Sequence, residues 1–215
     1  ALCAVGAIGL ADAARLLRRR GQAMQQAPPV GTGAMAALIG IGYDKAVVIA
    51  AEAAEGEVCQ AANDNDPSQV VISGDRAAVE RAVALAKEHG AKRAMLLPVS
   101  APFHCALMQP AADAMQAALA EVEIAPPAVP VIANVTAEPV SDPATIRRLL
   151  VEQVCSRVRW RESMLWMAEH EVTQIYEIGA GTALTGMAKR IDKRLAARAV
   201  GTPEGVRAAA AELLA

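Results

Sequence analysis

The stretch "NDNDPSQVVISG", Asn63 to Gly74, decides how this chain is read. Val70, Val71 and Ile72 form a β-branched run suited to a strand. Upstream, "EVCQAANDN" (57–65) reads as a second strand. Asp66 and Pro67 stand between them. An aspartate bonds backbone N–H groups just ahead of it, and proline fixes φ, so the pair predicts a tight turn. Working outward, "YDKAVVIAAEAAEG" (43–56) and "DRAAVERAVALAKEHG" (75–90) carry helical spacing and end in glycine. Asp75 is a candidate N-cap. Outside them lie two more strands, "GAMAALIGI" (33–41) and "AKRAMLLPV" (91–99). The order β-α-β-β-α-β over residues 33–99 is the split βαβ, or ferredoxin-like, arrangement. It predicts a four-stranded antiparallel sheet with both helices on one face.

"APPVGTG" (27–33) breaks the chain ahead of this unit. Beyond it, helix patterns in "CALMQPAADAMQAALAEV", "DPATIRRLLVEQV", "RWRESMLWMAEHE" and "TALTGMAKRIDKRLA" alternate with strand patterns in "AVPVIANVT" and "VTQIYEIG". Such alternation predicts an α/β fold with a largely parallel, covered sheet. Residues 1–32 and 100–215 then form a larger domain, and 33–99 a small domain inserted into it.

Composition narrows the function. The chain has 215 residues, 21 basic and 23 acidic, with a formal net charge of -2. No basic excess suits nucleic acid. Hydrophobic residues make up 54% but aromatics only 2%, so alanine and aliphatic side chains must build the core. Cys3, Cys59, Cys105 and Cys155 are scattered without metal or redox spacing, which fits thiols in a reducing cytosol. No apolar run has the length of a membrane span.

Two segments carry charge or glycine in a telling place. Leu10, Ala13, Ala14, Leu17, Gly21 and Met24 recur at helical spacing and predict one buried face. Arg15, Arg18 and Arg19 fall away from it, as a solvated cluster would. Arg20 lies only about 60° from its centre. A guanidinium at the margin of a core suits an anionic ligand. "EIGAGTALTGMAKR" (177–190) has the strand–glycine–helix order of phosphate loops. Leu184 replaces the third glycine of GxGxxG, and Met187 and Ala188 replace the lysine and hydroxyl of a P-loop. A tight turn is the better account.

The third signal is "PVSAPFHCALMQP" (98–110). His89 and His170 each sit beside a glutamate, whereas His104 lies between Phe103 and Cys105. Taken alone, such a histidine is a packed core residue or a base held in an apolar site.

Several of these segments together resemble one family. "RGQAMQ", "GTGAMAALIG", "NDNDPSQVVISG", "LPVSAPFHCALMQPAAD", "VPVIANVTAEPV", "VEQVCSRVRW" and "YEIGAGTALTGMAKRI" are similar, in order and spacing, to the malonyl-CoA:acyl carrier protein transacylases of bacterial fatty acid synthesis. The resemblance covers essentially the whole chain. It implies a hydrolase-like α/β domain with a ferredoxin-like insertion. It also implies malonyl-CoA and acyl carrier protein as partners, phosphopantetheine carried by that partner, no resident cofactor or metal, and a cytoplasmic site of action.

Roles follow residue by residue. His104 matches the family's general base and Gln153 the residue whose backbone carbonyl orients it. Arg20 matches the arginine that grips the free malonyl carboxylate. Met24, one turn on, is expected to line the acyl pocket. Phe103 matches an aromatic that goes with malonyl rather than methylmalonyl in related polyketide synthase domains. Asn63, Asn65 and Gln69 are candidates for bordering the substrate cleft, with surface turn chemistry the competing account.

One departure matters. The family nucleophile lies in a GHSxGE elbow, with a GQGSQ segment serving the oxyanion hole. Neither occurs among the 215 residues, and no GxSxG exists. The resemblance places Ala1 just after the elbow, so the chain is expected to be a piece without the acyl-serine and inactive alone. Two other readings stand beside the enzyme: a non-catalytic binding or scaffold fragment, and an acyltransferase domain of a polyketide synthase.

Overall fold

The computed structural model describes residues 1–29 and 31–214. Val30, within the 27–33 break, and Ala215, the last residue of the larger domain read from sequence, lie outside the described residues. The chain divides into two compact units, Ala1–Trp160 and Arg161–Ala215.

The first unit holds α1 (Leu10–Gln26), β1 (Gly33–Ile39), α2 (Tyr43–Ala54), β2 (Cys59–Asp66), β3 (Gln69–Asp75), α3 (Arg76–Glu88) and β4 (Arg93–Leu96). It continues with α4 (Gln109–Ala120), β5 (Val131–Ala133), β6 (Glu138–Val140) and α5 (Pro143–Glu152). The order β-α-β-β-α-β is the one observed. β1–β4 form an antiparallel sheet in the order β2-β3-β1-β4. The turn works as its residues predict: Asp66 Oδ1 accepts the Ser68 N–H at 2.9 Å, and Gln69 pairs back with Asp66.

Alternation along the strands gives the sheet two different faces. Ala34, Ala36 and Leu38 of β1 pack with Val70 and Ile72 of β3 against Ala46, Ile49 and Ala50 of α2 and Ala78, Val79 and Ala82 of α3. Both helices therefore cover one face, and small side chains let them approach closely. Met35 and Val71 point the other way and pack with Ala62, Leu97 and Phe103. β2 departs from strict alternation. Its register against β3 shifts between Ala61 and Asn63 and again between Asp64 and Asp66. A bulge puts consecutive residues on one face. Ala62 and Asn63 thus both lie on the Met35–Val71 side.

A second core joins α1, α4 and α5 through Leu16, Met24, Ala111, Met115, Leu119 and Ile146. Here the expected buried face of α1 is corrected. Leu10 and Leu17 are 76% and 67% exposed, while Leu16 and Met24 are buried and Ala13, Arg20, Ala23 and Ala27 half-buried. The inward stripe is 13, 16, 20, 23/24, 27, with Arg20 in its middle. The helix starts at Leu10, after a series of turns.

The strand expected in "AVPVIANVT" is shorter than predicted. Only Val131–Ala133 is extended, and it pairs antiparallel with β6. The Ala137 N–H bonds the Ala133 carbonyl at 2.8 Å, with Ala137 at φ 57°, so the chain folds back at once.

The second unit holds most of α6 (Trp160–Glu169), then β7 (Gln174–Ile178), α7 (Ala183–Ile191), β8 (Ala196–Val200) and α8 (Pro203–Leu213). β7 and β8 pair in parallel, Gln174 opposite Ala196 through Ile178 opposite Val200. β8 and the end of α7 correct the sequence reading, which ran one helix through Ala196. Asp192 stops it. Its carboxylate accepts from the backbone N–H, Nε and Nη2 of Arg194, the local bonding by which aspartate competes with a helix. Hydrogen bonding from Arg194 holds the Asp192 carboxyl down at about 2.

Candidate active site

Asp142 caps the start of α5, its carboxylate accepting the Thr145 N–H at 2.7 Å, and Gln153 is the cap residue at its end. The last carbonyls of a helix have no partner within it. The Gln153 carbonyl is one of these, and His104 Nδ1 lies 3.1 Å from it. A carbonyl only accepts, so Nδ1 carries the proton and the Nε2 lone pair is left for chemistry. The Gln153 side chain bonds the Ser156 carbonyl at 3.1 Å and tightens the turn beyond the helix.

His104 is held in an uncommon way. Its φ is +61°, left-handed backbone that a non-glycine residue keeps only when its surroundings fix it. The loop is seated from below. A Cβ on Gly33 would overlap the Pro102 ring, so β1 must begin with glycine for Pro102 to lie against it. Cys105 is buried, its Sγ 3.2 Å from the Pro102 carbonyl. Phe103 reaches both the helical core and the Met35–Val71 cluster.

Burial pushes the His104 imidazole below its ordinary value, and the nearby Arg20 charge pushes it the same way. The carbonyls of Gln153 and Ser156 oppose both. The ring is therefore neutral at neutral pH, as a base must be. Burial also lowers Arg20. Among the described residues, no hydrogen bond or ion pair engages the Arg20 guanidinium. Its neighbour Arg19 is tied to Glu121 at 3.0 Å, and Arg15 to Asp12.

Two cavities flank this pair. One of about 450 Å³ is lined by Leu16, Leu17, Arg20, Asn134 and Gln153 among others. The other, about 380 Å³, is lined by His104, Phe103, Asn63, Asn65, Gln69 and Met35 among others. Asn63, Asn65 and Gln69 thus share a cavity with His104, and Arg20 shares one with Gln153. Met24 lines neither: it is 4% exposed in the core with Leu16 and Met115. Among the described residues no cluster of three His, Cys, Asp or Glu side chains is placed to hold a metal.

Residues that sequence reasoning missed hold the site together. Val158 pairs with β2: its N–H bonds the Ala62 carbonyl at 2.7 Å, and its carbonyl accepts the Asp64 N–H at 2.9 Å. The Arg157 guanidinium lies 4.0 Å from the centroid of the Tyr43 ring, a cation–π contact. Arg159 Nη1 donates to the Val135 carbonyl. No periodicity announces such contacts, because the partners are far apart in sequence and largely backbone.

Four of the six serines have their hydroxyls engaged or buried. Ser68 Oγ is bound to Asp66, Ser100 Oγ to Gln25, and Ser73 and Ser163 are buried.

In the second unit the glycine turn is not an anion site. Glu177 already occupies the start of α7: its carboxylate accepts from the Leu184 N–H and from both the N–H and hydroxyl of Thr185. These bonds hold its carboxyl below the usual value.

Comparison with known proteins agrees with this geometry. The acyl transferase domain model matches residues 1–201. The chain is 48% identical over 209 residues to the malonyl CoA-acyl carrier protein transacylase of Escherichia coli K12, covering 97% of this chain and 68% of that protein. The crystal structure of an acyl-carrier-protein-S-malonyltransferase from Bartonella henselae superposes with a TM-score of 0.97 at 54% identity, covering all of this chain and 68% of the other. A type II PKS acyl-carrier protein in complex with its malonyl-transacylase matches with a TM-score of 0.95 at 42% identity, covering 99% and 69%. With the half-buried His104 held on a helix-end carbonyl, and a family match over nearly its whole length, the chain belongs to the acyl transferase family.

Proposed function

We propose that the chain supplies the base, the orienting carbonyl and the carboxylate grip of a malonyl-CoA:acyl carrier protein transacylase. The observation that carries the reading is the His104 Nδ1–Gln153 carbonyl contact with Arg20 nearby. Nε2 takes the proton of a serine hydroxyl as its oxygen attacks the malonyl thioester. Collapse of the tetrahedral intermediate expels the coenzyme A thiolate, which takes that proton, and leaves a malonyl-serine ester. The phosphopantetheine thiol of acyl carrier protein then gives its proton to Nε2 and attacks the ester, restoring the serine. The nucleophile is not among the six serines of these 215 residues, none of which stands in GxSxG. Arg20 meets the free carboxylate of the malonyl group with its planar fork, which acetyl cannot use. Asn63, Asn65, Gln69 and Phe103 border the acyl and thioester path, and Met24 supports α1 from behind.

This chemistry asks for no resident cofactor or metal. Among the described residues no helix is long and apolar enough to cross a membrane; we place the reaction in the cytoplasm. We read residues 33–99 as an insertion between 1–32 and 100–215, and its sheet as one wall of the thioester path.

The test joins the chain to an elbow-bearing segment of a relative and follows labelled malonyl and acetyl groups onto acyl carrier protein. Arg20→Ala should lower malonyl transfer far more than acetyl transfer. Loss of a desolvated bidentate pair costs about 2–5 kcal/mol, a tens- to thousands-fold fall. Equal losses for both acyl groups would refute the grip. The chain by itself, incubated with labelled malonyl-CoA, should take up no ester label; stoichiometric label on any of its serines would overturn the assignment of the nucleophile.

A further inference from the structure

β2 bonds the segments that follow both partners of the His104–Gln153 pair. Near its start, Gln60 Oε1 accepts the Ala106 N–H at 2.8 Å, two residues beyond His104. Ala106 opens the 3-10 turn (Ala106–Met108) that leads into α4, and N–H groups at a helix start need an outside acceptor. Further along the strand, Ala62 and Asp64 hold both backbone groups of Val158, five residues beyond Gln153. One strand thus anchors the loop that carries the base and the loop that follows its orienting carbonyl. The Gly33–Pro102 contact fixes the His104 loop on its near side. Gln60 is the side chain that fixes its far side. Gln60 itself lines neither cavity and is exposed.

We infer that Gln60 is a positioning residue: by holding the Ala106 N–H to β2, it keeps His104 in the left-handed conformation from which Nδ1 reaches the Gln153 carbonyl. The inference rests on the reading of His104 as the base. Without that anchor the His104–Ala106 backbone can relax toward the commoner negative φ, and the ring swings off the carbonyl.

The imidazole tautomer reads this directly, without any acyl transfer. In the ¹⁵N-histidine-labelled 215-residue chain, neutral His104 should show a protonated Nδ1 and a bare Nε2. In Gln60→Ala, and in Gln60→Met, which keeps the volume but not the acceptor, the Nδ1–H form should fall toward the mixture of a free imidazole. The Ala106 amide should exchange about fivefold faster, as loss of one neutral hydrogen bond predicts. Gln60→Glu keeps an acceptor at the same reach and should restore both readings. His170, whose Nδ1 faces the Trp166 carbonyl at 2.8 Å in the other unit, should keep its tautomer throughout and serves as the internal reference. A faster Ala106 amide with the His104 tautomer unchanged overturns the positioning role, as does failure of Gln60→Glu to rescue. A wild-type His104 that already carries its proton on Nε2 overturns the base reading itself, and the inference with it.

Discussion

Two junctions run from a strand through left-handed backbone into a helix. From β7 to α7 the left-handed positions are Gly179 and Gly181, at φ 139° and 98°. From β4 toward α4 the position is His104, at φ +61°. The first uses residues that adopt positive φ freely, and its helix start is filled by its own Glu177. The second sets a β-carbon where the backbone resists it and aims the ring at a foreign carbonyl. A turn that only connects elements takes glycine. A turn that must present a side chain keeps the strain and is clamped from outside.

The largest test of this contrast is His104→Ala in an elbow-bearing chain. Malonyl transfer should fall about 10²- to 10⁴-fold, the usual worth of a positioned base, while Gly181→Ala leaves the rate within a few-fold. Comparable losses would erase the distinction. Gly33→Ala should follow, costing about 1–3 kcal/mol of stability by urea unfolding, because the added methyl overlaps a stiff proline ring. His104→Gly should be more stable than His104→Ala by about 1 kcal/mol, since both lose the ring and only one keeps the backbone penalty. Gly181→Ala should cost about as much for the mirrored reason; a neutral result there would mean that the turn relaxes.

The pH responses are smaller and share a sign, both weakening the fold as pH falls, but their causes differ. Burial and Arg20 lower the His104 value, so the acid limb of activity lies below the ordinary 6.5 of histidine. As pH falls from 6.5 toward the folded value, the unfolded chain takes up a proton that the folded one resists, and stability declines over that window. Arg20→Gln should move the limb up only part of the way, because burial is the larger cause. Glu177 is also lowered, but by hydrogen bonds that favour its charge. Its contribution is present above the ordinary 4.5 of a glutamate and is lost as pH falls through the lower folded value. Glu177→Gln should flatten that acid response of the second unit, followed by circular dichroism; an unchanged slope would remove Glu177 as the α7 cap.

The sequence revealed whatever its local pattern records. The ferredoxin-like order was readable because strands, turn and helices each announce themselves within about a dozen residues. His104 stood out as a lone ionisable group in an apolar run. The α1 face was misjudged because alanines mark no side strongly: Leu10 and Leu17 looked like core, yet Leu16 is, while Met24 is buried as expected. β8 was missed because "AARAV" carries helix-forming alanine, and only Asp192 signals the break. The clamps were invisible, since Gln60 reaches 46 residues to Ala106 and Val158 uses only its backbone.

The pairing of Val158 with β2 also bears on how the protein avoids its own copies. β2 ends the sheet, and a bare terminal strand invites a second chain to add itself and seed fibrils. Ala62 and Asp64 have their outward backbone groups taken, and two bulges spoil the straight ladder an incoming strand needs. Whatever frees the segment around Val158 would uncover that ladder, so colloidal stability and alignment of His104 depend on the same few hydrogen bonds.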